Sequence, residues 1–406
     1  VEGYRAEFIY VPDDVLLLLP QPKEPPPVFS VKETAPPAFV REGSLTLVWD
    51  VFAFLCYLQA EEIKPLRDGR FPRRVIERLN EHLMANKAGA LPRGWGSEQE
   101  VRSSPRLRRQ GSESIGAERG YLAFLVHLCR ILELVQVRDD GLLKPNPPQA
   151  KVWLKRPRWE QLAALGDAWR NDWEWNELWQ VRSLQCENTG WRNDPLLARH
   201  KVLGYLGRCP PGRWLSLASF IQVLKAIDPD FQRPDGDYTS WYIREAATGR
   251  YLMGFEHWDR VEGALITYLI SEPLHWLGMV SLGHTSEEEE TPLAFLITSW
   301  GAAFLGLSHE RPEGTSPPPL TVGSDFVVFV PAGTDLYRRF QLERFATPQV
   351  RGEEAIYRIT QRSLAHAREQ GITIPMILAF LRRASDDAVP PNVIRALRRW
   401  EDKPDL

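Results

Sequence analysis

Residues 258–298 read WDRVEGALITYLISEPLHWLGMVSLGHTSEEEETPLAFLIT, and the order of elements in this stretch decides the fold. Trp258 to Leu269 reads as a helix. Trp276 to Val280 and Ala294 to Thr298 then read as the two strands of a hairpin, with the acidic run Glu287 to Glu290 at its tip. From Ser299 onward, SWGAAFLGL closes the segment with a short apolar helix. Upstream, Leu196 to Leu206 is a helix, and Trp214-Leu215-Ser216-Leu217 leads into another over Ser219 to Ile227. The Pro210-Pro211-Gly212 turn, and Ser216 three residues before Ser219, place the helix starts. Three helices followed by a hairpin is the order of a winged helix.

The same order appears earlier in the chain. Leu45, Leu47, Val48, Val51, Phe52, Phe54, Leu55 and Leu58 make a buried helix. Phe71 to Leu79 follows, with Val75, Ile76 and Leu79 on one face and arginines on the other. Tyr121 to Leu132 is a third helix. Leu134 to Val137, a polar tip at Asp139-Asp140-Gly141, and a return strand at Ala150 to Leu154 complete a hairpin.

With 406 residues, 43% apolar and 25% charged, the chain is an ordinary globular sequence, long enough for about two to four compact units. Proline marks the breaks. PQPKEPPPVFSVKETAPP (20–37) cannot hold a helix and reads as an extended linker, 92–116 reads as a loop, and SHERPEGTSPPP (308–319) isolates a C-terminal unit. The expected organisation is a strand and Pro-rich linker (1–43), a winged-helix-like unit (44–157), a Trp-rich connector (158–193), a second such unit (194–307), a linker (308–319) and a C-terminal domain (320–406). The fold class is α+β and predominantly helical. In the connector, Trp169 with Trp173 and Trp175 with Trp179 are spaced to share helical faces. Interleaved carboxylates would repel phosphate, so these rings read as packing between domains.

Chemistry is sparse. No GxxxxGK[ST] loop is present to cradle a triphosphate, and no GxSxG or HExxH occurs, so neither a catalytic nor a metal site is expected. Cys56, Cys129, Cys186 and Cys209 form no CxxC and read as free thiols of a cytoplasmic protein. His275 in an apolar run reads as a core residue, and Asp228, Asp230, Asp235 and Asp237 as a turn-rich loop, because Pro229 and Pro234 interrupt any calcium pattern. Val15 to Leu19 is too short to span a membrane. The formal net charge of −3 leaves nucleic-acid contact to a local patch. That patch is the basic excess between Lys64 and Arg109, comprising Arg70, Arg73, Arg74, Arg78, Arg102, Arg106, Arg108 and Arg109. Arg73, Arg74 and Arg78 lie on the helix expected to serve as recognition helix of the first unit.

The C-terminal unit has a pattern of its own. Asp325 to Pro331 reads as a strand ending in a turn, and a helix surrounds Leu342 to Ala346. Thr360 caps a helix that Gly371 ends, Pro375 sits in the first turn of the next helix, and Pro390-Pro391 starts the last. This series resembles the helicase-associated domain on the N-terminal side of XPB-type DNA repair and transcription helicases, as found in stand-alone bacterial proteins. The segment from Trp241 to Gly278 is similar to the bacterial members too. Both motor domains of such helicases are missing here, so the resemblance implies no ATP hydrolysis and no catalytic residues. It implies a DNA-associated accessory or scaffolding protein that needs no cofactor, with DNA and protein partners. A protein–protein adaptor without DNA contact is the alternative.

Overall fold

Leu47 to Leu58 carry almost no charge on any side, and a helix that is apolar all round must be enclosed. In the computed structural model, which describes residues 28–67, 70–87, 120–233, 235–308 and 318–402, this stretch is helix α1 (Thr46–Ala60), buried from Leu47 to Leu58. Its one charge, Asp50, accepts hydrogen bonds from the backbone N–H groups of Met84 and Ala85 and from the Tyr121 hydroxyl, at 2.5, 3.1 and 2.6 Å. Helix α2 (Arg73–His82) follows α1, and the Asp50 carboxylate ties α1 to α3 (Met84–Lys87) and α4 (Tyr121–Ile131).

A hairpin of β2 (Val135–Val137) and β3 (Leu143–Pro145) follows, turning at Gly141 with φ 79°. Ile63, between α1 and α2, bridges to Leu143 on the free edge of β3. Residues 150–154 are not the return strand. They belong to α5 (Pro147–Lys155), whose first positions are prolines that lose nothing by lacking an N–H there. Ala150, Trp153 and Leu154, spaced three and four apart, share its buried face.

The connector corrects the tryptophan pairing. Helix α6 (Arg158–Arg170) ends before Trp173, and α7 (Glu177–Gln180) begins after Trp175, so neither pair shares a helix. Trp169 and Trp175 are buried, whereas Trp173 is 71% exposed and packs nothing together. Trp173→Ala is therefore expected to change stability by less than about 0.5 kcal/mol. A larger loss in urea unfolding would show that this ring does bury in solution. Trp179, Trp191 and Trp241 stack instead, with centroids 5.7 and 5.1 Å apart, and the Arg233 guanidinium lies 4.2 Å from the Trp241 ring.

The second unit contains α8 (Pro195–Leu206), β5 (Trp214–Ser216), α9 (Leu217–Ile227), α10 (Trp258–Leu269), β7 (Val280–His284) and β8 (Ala294–Ile297). Between α9 and α10, β6 (Ile243–Glu245) pairs with β4 (Leu184–Cys186). Ser216 caps α9 by accepting the Ser219 N–H at 3.2 Å, as its position implied. The first hairpin strand starts at Val280 rather than Trp276. A π-turn over Ile270–Leu274 extends α10, and Gly278 at φ 68° makes the exit where a Cβ would stand 2.3 Å from Ser44 O. Helix α11 (Ser299–Phe304) closes the unit, capped by Thr298.

With β1 (Phe39–Arg41), the sheet of this unit runs β1-β7-β8-β5, and both outer places involve residues far upstream. Strand β1 pairs antiparallel with β7, Val40 opposite Gly283. On the opposite edge, Thr34 N–H donates to Trp214 O and Ser216 N–H to Lys32 O. Between these contacts Pro37 lies against Gly283, where a Cβ would stand 2.4 Å from its ring. Residues 32–41 thus form a clasp across the sheet rather than a free linker.

The C-terminal unit has a sheet ordered β11 (Thr347–Val350), β12 (Ala355–Arg358), β10 (Val327–Val330) and β9 (Thr321–Val322). Its helix α12 (Leu336–Glu343) starts earlier than the sequence implied, because Asp335 accepts the Arg338 N–H. Helices α13 (Gln361–Glu369), α14 (Ile374–Ala384) and α15 (Pro391–Asp402) follow, with the Thr360 cap completed by Ser363 and Gly371 at φ 76°. One apolar core runs from α1 to α11 and takes in Leu336 and Phe340 of α12, and a second fills the C-terminal unit. Trp49 locks the two together, its ring 4.8 Å from the Arg158 guanidinium and 4.7 Å from that of Arg339. The class is α+β and predominantly helical.

Candidate functional site

The arginine helix α2 turns Val75, Ile76 and Leu79 inward and leaves Arg73, Arg74 and Arg78 exposed; Arg70, just ahead of the helix, is exposed too. Arg73 is paired with Glu77 at 2.9 Å, so part of its charge is compensated within the helix. Arg74 and Arg78 lie one turn apart. Arg102, Arg106, Arg108 and Arg109 lie outside the described residues. The helix directly before the first hairpin is α4, not α2. Eight of its side chains are buried, so it has little surface with which to read a groove. The order agrees with the sequence, and the burial follows from composition: YLAFLVHLC is needed by the core.

The polar end of α4 meets the turn after α6 in a cluster that sequence reading missed. His127 Nε2 lies 2.5 Å from Asp172 Oδ2, and Arg130 pairs with Glu174. Asp172 also accepts the N–H groups of Glu174 and Trp175 at 3.0 and 2.9 Å. Burial raises the Asp172 pKa, but its bond to His127 and the imidazole charge outweigh burial and hold the carboxyl below its ordinary range. His127, Asp172 and Glu174 offer atoms close enough to share a cation. Arg130 already supplies that charge, lying 3.4 Å from His127 Nδ1 as well, so the arrangement works as an ion-pair network joining two elements. These residues are 44 and 45 positions apart, and no spacing rule connects them.

Other polar groups are absorbed structurally. Asp237 accepts the Thr239 and Ser240 N–H groups as a turn cap, Asp230 takes the Tyr238 hydroxyl, and Asp228 takes Tyr205 and Lys201 of α8, so these aspartates hold the loop in place. His275 is buried, its Nδ1 3.0 Å from Val280 O, and burial lowers its pKa to about 4.

A groove of about 770 Å³ opens where α5, α12 and α14 meet. Lys151 and Lys155 of α5 stand over the Tyr337 ring of α12, at 5.8 and 5.3 Å from its centroid. Arg344 follows α12, and Met376, Phe380 and Arg383 come from α14. Three distant segments supply these residues, which is why no motif announced them.

Residues 320–403 match the family described as helicase conserved C-terminal domain. None of the curated proteins compared with the chain matches it. The C-terminal unit is thus of the helicase-associated type, and it contributes one wall and the floor of the groove. No helix among the described residues is long and apolar enough to cross a membrane.

Proposed function

We propose that this chain is a non-catalytic, DNA-associated accessory or scaffolding protein, in which two winged-helix-like units carry an XPB N-terminal-like helicase-associated domain. The observation that carries the reading is a duplicated topology. In one unit α8, β5, α9, α10, β7 and β8 follow in order, with β8 between β7 and β5. In the other α1, the Ile63 bridge, α2, α4, β2 and β3 follow in the same order, with β3 between β2 and Ile63. This order of elements and strands is the one expected of a winged helix, which supports the reading, and helix-turn-helix modules recur in DNA-binding proteins. The exposed arginines of α2 supply phosphate contacts. No cofactor and no catalytic step belong to this reading, and three buried free cysteines suit a reducing cytoplasm.

The test is fluorescence anisotropy with single-stranded, duplex and forked DNA over a salt series, comparing wild type with the Arg73→Glu, Arg74→Glu, Arg78→Glu triple variant. These side chains are exposed, so the fold survives. Affinity is expected to drop for every sequence, and the slope of log affinity on log salt to shrink by roughly 0.9 for each duplex phosphate that is no longer engaged. Unchanged affinity and slope would remove α2 from the interface. Negligible wild-type binding near physiological salt would leave the adaptor reading, which the enclosed α4 also favours.

A further inference from the structure

The groove between α5, α12 and α14 carries positive charge that its own walls do not neutralise. Lys151, Lys155, Arg338, Arg344 and Arg383 line it against a single carboxylate, Asp335, which is paired with Arg338 at 3.1 Å. Among the described residues the other four cations have no carboxylate within ion-pair distance. Arg344 is half-buried and unusually placed. Its Nε has no hydrogen-bond partner, and its Nη1 reaches only Gln341 Oε1 at 3.4 Å. A guanidinium partly stripped of water and lacking a counter-charge is stabilised by an arriving anion.

The floor is apolar. Phe345, Ile372 and Ile377 are buried beneath it, and α14 presents Met376, Ala379 and Phe380 at spacings of three and four. Met376 is 56% exposed with nothing packed over it, an adaptable thioether of the kind found on helix-binding surfaces. Strip and rim together select between anions. A single nucleic-acid strand needs open aromatic faces. Here Tyr337 lies beneath two ammonium groups, and Phe380 meets Phe345 edge-on at 5.6 Å. A duplex presents phosphates and no apolar surface to fill the strip. An amphipathic helix with an acidic face satisfies both.

We propose that this groove docks an acidic amphipathic helical segment of a partner protein, with its apolar side chains on Met376, Ala379 and Phe380 and its carboxylates on Lys151, Lys155, Arg344 and Arg383. The site goes beyond the reading of the protein as DNA-associated and stands whether or not α2 touches DNA.

The experiment uses the full chain and a fluorescein-labelled model peptide of Leu, Ala and Glu, with Leu on one helical face and Glu on the other. Its probes for comparison are a scrambled isomer of the same composition and an oligo-dT strand. Saturable binding of the amphipathic peptide is expected, at least about tenfold weaker for the scrambled isomer. Met376→Asp, and separately the Lys155→Glu, Arg383→Glu pair, each lower affinity by roughly tenfold or more. All three residues are exposed, so unchanged thermal unfolding of the variants separates a lost site from a lost fold. Absence of saturable peptide binding, or binding indifferent to both sets of substitutions, overturns the proposal. So does oligo-dT that displaces the peptide and still binds the Met376→Asp protein, which would make the groove a nucleic-acid channel.

Discussion

Arg199→Ala is expected to destabilise the protein by roughly 3–5 kcal/mol, the range for breaking one side of a buried ion pair. Arg199 is 0% exposed on α8, and its guanidinium donates to Glu177 through Nε and Nη2 at 2.8 and 3.0 Å. The same group donates to the backbone carbonyls of Trp169, Asp172 and Trp175 at 2.6, 2.6 and 2.7 Å. Removing it strands the Glu177 carboxylate, which then keeps only the Trp169 Nε1–H at 2.8 Å, and takes their guanidinium donor from the Asp172 and Trp175 carbonyls, while Trp169 O keeps the Asp172 N–H. Arg199→Lys recovers little of the loss, because one ammonium cannot reproduce a planar fork that reaches six acceptors. Urea unfolding followed by tryptophan fluorescence reads the effect, with the Arg199→Met, Glu177→Leu double variant alongside. That pair removes both charges and is expected to be more stable than Arg199→Ala. A loss below about 1 kcal/mol for Arg199→Ala would mean that water reaches this site.

Stability should fall as pH drops below 6.5, and the buried imidazole of His275 is one reason. Burial lowers its pKa from 6.5 to about 4, with Arg41 and His284 adding to the same direction against the bond to Val280. Between those values the unfolded chain holds a proton that the folded chain refuses, so stability falls as pH drops from 6.5 towards about 4 and levels off below. The full effect is about 3 kcal/mol. His284 is also lowered, chiefly by burial, and contributes in the same direction. Unfolding free energies of wild type and His275→Gln, measured across this window, should converge as pH falls. Parallel curves would show that His275 is hydrated in the native state.

The helices that were legible in the sequence are those whose apolar residues repeat at helical spacing within one segment. The stretch Trp258 to Leu269, the Ser216 cap and the Thr360 cap with Gly371 were all readable from local chemistry. What failed was local pattern under tertiary influence. Val152 and Trp153 look like a strand, yet two prolines at the preceding turn start a helix there, and α10 continues past Leu269 because its π-turn accommodates Pro273. Trp173 resembled a core ring because the end of α6 at Arg170 carries no glycine or proline to mark it. The groove and the Arg199 site depend on segments that only the fold brings together. The exposed arginines of α2 were visible early because a solvated helical face needs no partner to be recognised.

The clasp formed by residues 32–41 bears on how the chain is made and how it can be divided. Ribosomes release β1 long before β7 exists; Gly43 and its partner Ser281 are separated by 238 residues. The second unit therefore completes its sheet only by recapturing a segment made more than two hundred residues earlier, a slow closure between strands far apart in sequence. A fragment cut at residue 194 would emerge with both outer strands unsheathed, Val280 to His284 on one side and Trp214 to Ser216 on the other. Bare strands of this kind pair with copies of themselves. Soluble expression of the second unit should accordingly require residues 28–44, supplied in the same chain or as a separate peptide.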